Sequence, residues 1–326
     1  MTRPGLLPAA RVRSAEILFW VCALGALIFL PQYAALWTEI ATLALFALSL
    51  DLILGYGGIV SLGHAAFFGF GAYAAGIFAI HVSPDPLTGL VVATLGAALL
   101  GALTSVIVLR GTDLTRLMVT LAVASILFEL ANRFSSLTGG ADGLQGVFMD
   151  PLLGRFEFDL AGVVGSWYAF ALLFVLFLIA RRLVHSPFGA GLKAIRDNRL
   201  RATAIGIPVN RRLAAVYTLA AAYAGVAGAL LTQTTGFASL DVLSFQRSAD
   251  VLLALVLGGT GYLYGGLIGA VIFKIMHDVL SALTPQYWQF WMGFALVVIV
   301  MVGRERMYGA VTRTVRRLIP ARGGRP

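Results

Sequence analysis

The sequence predicts an all-α polytopic membrane protein with about ten transmembrane helices, some of them broken by glycine. Three observations predict it. Of the 326 residues, 59% are hydrophobic and only 12% charged, long apolar runs recur along the chain, and the basic residues cluster between a few of those runs. A soluble domain of this size carries roughly a quarter of its residues as charges. With so few, most of the chain must face lipid or other apolar helices, and a bundle crossing the bilayer repeatedly can use such a surface. Soluble-enzyme and nucleic-acid-binding classes are disfavoured, despite a net charge of +9. The one cysteine, Cys22, excludes an intramolecular disulfide framework and a multi-cysteine metal site.

A helix needs about 20 mostly apolar residues to cross the hydrocarbon layer. The first candidate run, 17–36, follows arginines as a signal peptide would. It is long, however, meets Pro31 and lacks a small-residue cleavage signal, so a retained helix is expected. Runs 39–54 and 62–82 follow, separated by a glycine cluster. Runs 87–109 and 114–131 are joined by a short link, and 163–180 precedes the longest basic segment. Beyond that segment come 213–233, 248–257, 265–283 and 287–302, of which 248–257 is too short to cross unaided.

Lys and Arg in short loops stay on the cytoplasmic side. Arg3, Arg11 and Arg13 precede the first run, and Arg110 and Arg116 lie between the fourth and fifth. Eight basic residues lie in 181–212 and seven from Arg304 onward, so 20 of the 24 fall in four segments. All four share one side only if 248–257 and 265–283 are separate spans. Gly258-Gly259-Thr260-Gly261 is therefore expected to be a real break, with both termini cytoplasmic. Residues 1–326 then form a single transmembrane domain, with 181–212 a cytoplasmic segment within it and 303–326 a basic cytoplasmic tail. Membrane orientation and contact with anionic lipid account for most of the positive charge, with no nucleic acid required.

The 37 glycines suit a bundle in lipid, where small residues let helices approach closely. Small-xxx-small pairs occur at Ala65/Gly69, Ala72/Gly76, Ala221/Gly225, Ala224/Gly228 and Gly265/Gly269, and ordinary helix packing accounts for them. Two glycine clusters differ because each interrupts an apolar run: Gly55, Gly57 and Gly58 after Leu54, and Gly258, Gly259 and Gly261 after Leu257. Backbone freed from helical hydrogen bonding is tolerated at membrane depth only where protein or a watery cavity covers it. Each break is thus either part of a path or a cytoplasmic turn that uses glycine. The similar runs Leu52-Ile53-Leu54-Gly55 and Leu255-Val256-Leu257-Gly258 hint at an internal repeat.

Ionisable residues inside spans are costly and therefore functional candidates. Lys274 and Asp278 lie one helical turn apart, and a structural i, i+4 ion pair is the preferred reading. Glu129, Asn132 and Arg133 form a local group at the outer end of their run, and Asp51 lies where it can reach water. His64 reads as a hydrogen-bonded structural residue near a helix start. No metal site, nucleophile with its base, or GxxxxGK[ST] phosphate loop occurs in the sequence. If the process consumes ATP, another chain must bind it.

Segment 181–212 contains Pro187 and Pro208. Between them Leu192, Ile195, Ala202 and Ile205 recur at helical spacing, with Lys193, Arg196, Arg199 and Arg201 around the other sides. Gly206 offers a stop. One or two short helices under the membrane are expected. A basic amphipathic stretch binds a lipid surface unaided, but docking to a soluble partner better explains the punctuation and the small residues Ala194, Ala202, Ala204 and Gly206.

Four stretches together resemble the permease subunits of bacterial branched-chain amino-acid ABC importers, of the LivM type. They are Leu50 through Gly69 with Gly71-Ala72-Tyr73; Leu137-Thr138-Gly139-Gly140-Ala141-Asp142-Gly143-Leu144; Ser186-Pro187-Phe188-Gly189 through Asn198 to Ala204-Ile205-Gly206; and Val256-Leu257-Gly258-Gly259-Thr260-Gly261. The resemblance implies a permease fold in the bacterial inner membrane and an importer working by alternating access. It also implies a second related permease subunit, two cytoplasmic ATPase subunits carrying ATP and Mg, and a periplasmic substrate-binding protein, with no cofactor on this chain. By the same resemblance Pro187, Gly189, Ala194, Arg196 and Gly206 match the loop that couples to the ATPase. Gly55, Gly58, Ser61, Gly63 and His64 match the signature between the second and third spans, and Gly258 and Gly259 are further pathway candidates. The run Arg110-Gly111-Thr112-Asp113-Leu114 and Lys274 depart from the family's usual residues. Urea, short amides and other amino acids are therefore kept as alternative substrates. A permease for simple sugars or nucleosides is the nearest alternative within the ABC class, and an ion-coupled secondary transporter and a passive channel are the rival classes.

Overall fold

Several helices start or stop where the sequence supplies a proline, a capping side chain or a glycine. The computed structural model describes residues 14–302 apart from position 160. The arginines at 3, 11 and 13 and the tail 303–326 lie outside the described residues. Helix α1 (Ser14–Phe29) ends just before Pro31, and a 3₁₀ turn, Pro31–Tyr33, leads into α2 (Ala34–Asp51). The expected run 17–36 is thus two helices, because Pro31 has no N–H to continue the first. After α2 the chain winds on as a π turn, Leu52–Tyr56, and α3 (Ala65–His81) follows an irregular stretch. Helix α4 (Pro86–Val108) begins with proline and is capped by Asp85, whose carboxylate accepts the Thr88 N–H at 2.9 Å.

Helix α5 (Asp113–Arg133) and the single turn α6 (Ser135–Thr138) come next. Arg116, expected in a link, sits in the first turn of α5 and is buried. Then follow α7 (Val163–Val184), the two short helices α8 (Pro187–Asp197) and α9 (Arg199–Ala204), and α10 (Val209–Thr235). Helix α11 (Phe245–Gly258) stops at the second glycine cluster, α12 (Leu263–Leu283) restarts beyond it, and α13 (Trp288–Val302) ends the described chain. The break expected there is real. Among the described residues, β pairing is limited to two isolated bridges, Leu144 with Ala238 and Leu152 with Phe156.

Six helical stretches among the described residues are long and apolar enough to cross a membrane: Pro31–Tyr56, Pro86–Val108, Leu114–Arg133, Val163–Val184, Val209–Thr235 and Leu263–Leu283. The others are shorter. Helix α11, with 14 residues, reaches about 21 Å at ~1.5 Å per residue, less than the ~30 Å hydrocarbon layer.

The chain divides into two compact units, Met1–Val271 and Ile272–Pro326. At the centre of the first, α10 packs along α2, α3 and α4. Most of the spans holding α2 and α10 is buried, whereas 22% of Leu114–Arg133 is. Absent side chains make the central approach close. A Cβ on Gly71 would collide with the Gly225 backbone, and one on Gly228 with the Phe68 carbonyl. Polar links supplement the packing: Gln233 on α10 accepts from the Tyr168 hydroxyl of α7 at 3.0 Å and donates to the Pro86 carbonyl at 2.7 Å. Helix α1 docks through Phe19 and Trp20 against Phe170, Phe174, Phe177 and Tyr264. Its Glu16 is paired with Arg181 at 2.9 Å. Leu95, Leu99 and Leu103 on α4 and Met118 and Ile126 on α5 are exposed, an apolar surface suited to lipid or a neighbouring subunit.

Gly228→Val tests the central approach. Since the Phe68 carbonyl opposite is helix backbone, overpacking is expected to cost ~1–3 kcal/mol or more and to lower the unfolding temperature in detergent. Gly25→Ala, where a Cβ meets nothing within 4 Å, serves as the control and is expected to unfold no earlier than the wild type.

Candidate functional site at the meeting of the glycine breaks

The two glycine clusters, some two hundred positions apart in sequence, come together in space. Asp51, in the last turn of α2, is fully buried, and its Oδ1 accepts the Gly261 N–H at 2.7 Å. The sequence placed Asp51 within reach of water, near a helix end; the structure buries it instead, because the Gly261 main chain closes over it. Gly55 lies directly over this bond: a Cβ there would collide with the Asp51 carboxylate and the Gly261 backbone. Gly261 has φ +76°, a left-handed conformation that glycine adopts without a Cβ penalty. Gly258 and Gly259 close α11, and Gly259 has φ +113°. Gly258, Gly265 and Gly269 form a bare seam: a Cβ on Gly258 would enter the Gly265 carbonyl, and one on Gly269 the Ala254 carbonyl. Here α11 and α12 meet backbone to backbone. The Gly265/Gly269 pair is therefore packing.

The stretch from Gly55 to His64 is mostly buried between elements. Ser49 donates its hydroxyl proton to the Phe46 carbonyl at 2.6 Å, so the 2.8 Å contact between Ser49 Oγ and His64 Nε2 requires the imidazole to donate. His64 also stacks on Phe46 with ring centroids 5.5 Å apart. The next residue, Ala65, donates its N–H to Ser248 Oγ of α11 at 2.9 Å. Ser61 is buried, and Gly63 lies so close to the Thr120 carbonyl that no Cβ fits. His64 thus fastens the start of α3 to α2, and Ser248 fastens the same point to α11.

Helices α8 and α9 form a second polar surface. Ser186 caps α8 by accepting the Phe188 N–H at 3.2 Å, Pro187 takes the first helical position, and Asn198 caps α9 by accepting the Arg201 N–H at 2.9 Å. Arg212 braces the unit, donating to the Pro187 carbonyl at 2.9 Å. Leu192, Ile195 and Ala202 face inward as their periodicity predicts, but Ile205 is 73% exposed and Leu200 84% exposed. The reason is local: α9 ends at Ala204, and Gly206, with φ +83°, redirects the chain. Pro187 and Gly206 are exposed, Ala194 is half-buried, and Gly189 is buried against Val184. Arg196 turns away from this surface and donates from Nη1 to the Gly55 carbonyl at 2.5 Å. Arg196 and Gly55 each stand out in the sequence, but their bond does not, and neither do the Asp51–Gly261 bond and the outward Leu200.

In the second unit, Lys274 Nζ lies 2.9 Å from Asp278 Oδ1, and His277 Nδ1 is 3.1 Å from the same oxygen. The expected pair therefore forms within α12. Glu129, Asn132 and Arg133 are exposed. No group of three or more His, Cys, Asp or Glu side chains fit to hold a metal occurs among the described residues.

A profile of the family described as "Branched-chain amino acid transport system / permease component" matches residues 32–302. The chain belongs to this family. It is the permease subunit of an ABC import system, not an enzyme. Among curated proteins this permease is 28% identical, over 301 residues, to the high-affinity branched-chain amino acid transport system permease protein LivM of Escherichia coli K12. That match covers 84% of this chain and 70% of the relative. The permease is 30% identical over 118 residues to LivH of the same organism, covering 36% and 38% of the two chains. It is 28% identical over 280 residues to the autoinducer 2 import system permease protein LsrD of Escherichia coli SMS-3-5, covering 82% of each chain. No solved structure gives a significant match to the chain.

The Lys274–Asp278 reading predicts a non-additive pair. Asp278→Leu alone is expected to lower thermal stability in detergent more than the double substitution Lys274→Met/Asp278→Leu does, since the single change takes away the carboxylate 2.9 Å from a mostly buried ammonium. Additive losses would show that the two side chains do not act together.

Proposed function

We propose that this permease imports branched-chain or related amino acids across the bacterial inner membrane by alternating access, driven by ATP hydrolysed on separate subunits. In this reading α1 to α5, α7 and α10 to α13 make about ten spans, four of them (α1, α3, α11 and α13) shorter than the rest, and residues 1–326 act as one permease domain. Helices α8 and α9, both termini and the tail 303–326 then lie on the cytoplasmic side, in accord with the placement of 20 of the 24 basic residues. The partners are a second related permease subunit, two ATPase subunits holding ATP and Mg, and a periplasmic binding protein that delivers substrate. The similarity to LivM and, over a shorter stretch, to LivH supports both the amino-acid substrate and the paired permease.

The observation that carries the coupling assignment is the outer surface of α8 and α9. Leu200 and Ile205 are exposed, in a segment whose Arg182, Arg201 and Arg211 are exposed as well. Two large apolar side chains held out on a braced, capped helix pair suit a protein cleft. A lipid-binding helix would lay its whole apolar face into the bilayer, whereas here Leu192 and Ile195 are committed to the permease core. Pro187, Gly189, Ala194, Arg196 and Gly206 then shape and hold this docking unit, while Gly55, Gly58, Ser61, Gly63, His64, Gly258 and Gly259 lie at or beside the path. The similarity to LsrD, a permease of an autoinducer 2 import system, supports a second reading in which the substrate is not an amino acid. An ion-coupled carrier draws no support from Lys274, whose charge is met by Asp278 on its own helix.

Leu200→Glu combined with Ile205→Glu is expected to reduce co-purification of the ATPase subunits and to lower ATP turnover by roughly ten-fold, the scale of an interface hot spot. The permease itself should remain in the membrane. Unchanged retention and turnover would remove α9 from the interface.

A further inference from the structure

We propose that Arg196 and Asp51 form a two-part clasp through which α8 moves the discontinuous ends of α2 and α12, making Arg196 a positioning residue of transport rather than a docking residue. The proposal rests on the reading that α8 and α9 meet an ATPase.

The clasp is built from three segments remote in sequence. At the end of α2 the π turn Leu52–Tyr56 brings its last carbonyls to the surface of the helix. The Ile53 carbonyl receives the Ile59 N–H at 2.9 Å and the Leu54 carbonyl that of Gly58 at 3.2 Å. The Gly55 carbonyl receives the Arg196 guanidinium. A cation at the C-terminal end of a helix is also favoured by the aligned peptide dipoles. One turn back on α2, the buried Asp51 carboxylate holds the Gly261 N–H, two residues before α12 begins. Arg196 therefore grips α2, and α2 in turn grips the α11–α12 junction.

Nothing cushions these contacts. A Cβ on Gly261 would lie 2.9 Å from Arg196 Nη1, and one on Gly58 would lie 3.0 Å from Arg196 Cγ. One turn before Arg196, Lys193 sits over the Tyr56 ring, 5.5 Å from its centroid, so α8 meets the π turn at two points a helical turn apart. Rigid contacts of this kind pass on a displacement instead of absorbing it in side-chain rotation. The Arg196 side chain is nonetheless 40% exposed and has Asp197 as a second, longer contact at 3.4 Å. Single π turns of this kind are rare and recur at functional sites. The three segments fall on the cytoplasmic side of the expected topology, so the clasp lies where an inward-facing mouth would open.

The test uses the full complex of this permease with its partner permease and ATPase subunits in liposomes. In a Cys22→Ser background, the exposed Thr260 is replaced by cysteine, and its rate of labelling by N-ethylmaleimide is measured with and without ATP and vanadate. Leucine uptake per ATP hydrolysed is measured in parallel with the binding protein present. With the clasp intact, vanadate trapping is expected to change the labelling rate at Thr260→Cys. Arg196→Met and Asp51→Ala are each expected to abolish that change and to lower leucine moved per ATP by about five-fold or more, the scale of one coupling contact. Both should retain the ATPase subunits. Asp51→Asn, which keeps an acceptor oxygen for the Gly261 N–H, is expected to behave as the wild type. The clasp is overturned if Arg196→Met leaves the vanadate-dependent labelling intact. It is equally overturned if Arg196→Met sheds the ATPase subunits while Asp51→Ala leaves labelling and stoichiometry unchanged, the pattern of a direct docking contact. If no ATPase subunit co-purifies with the wild-type permease, the reading of α8 and α9 fails first. If labelling responds to vanadate but leucine is not carried, the substrate reading alone fails.

Discussion

Inside a bilayer, a backbone N–H or C=O that leaves its helix must find another partner in the protein. The architecture around the glycine breaks follows from that requirement. Where α2 unwinds, its carbonyls are taken up by Gly58, Ile59 and Arg196. Where the chain turns between α11 and α12, the Gly261 N–H is taken up by Asp51. Where α3 begins, Ser248 receives the Ala65 N–H. Each solution brings in a side chain from a distant segment, so satisfying the backbone also ties the helices together.

The same glycines that break the helices permit these ties. A carboxylate on α2 reaches the Gly261 main chain only because neither Gly55 nor Gly261 interposes a side chain. The central bundle repeats the pattern with intact helices, where Gly71, Gly225 and Gly228 bring α3 and α10 into backbone contact. In a solvent as apolar as leucine, such close contact supplies the attraction that water would otherwise supply by exclusion.

Much of the fold was legible in the sequence because lipid leaves the chain few options. Apolar runs locate helices, and the charge distribution alone required the break at Gly258–Gly261. Pro31 was noticed, but hydropathy is blind to a missing N–H, and the run across it read as one helix. The site was legible in its parts and not in its connections. Gly55, Gly58 and Arg196 carried a family signature. A bond from a carboxylate to a main-chain N–H, however, leaves no mark at the receiving position beyond a glycine, so Asp51 read as a residue near water. Periodicity placed Leu192, Ile195 and Ala202 inward correctly. It placed Ile205 with them because a period does not say where α9 stops, and Leu200 was not singled out.

The bare seam between α11 and α12 has one more consequence. Helices that interlock through side chains fit at discrete registers, since each ridge must climb out of a groove before entering the next. Along Gly258, Gly265 and Gly269 there are no ridges. The contact there is main chain against main chain, so the fit of α11 on α12 next to the junction that Asp51 holds is set by backbone shape and not by any side-chain rotamer.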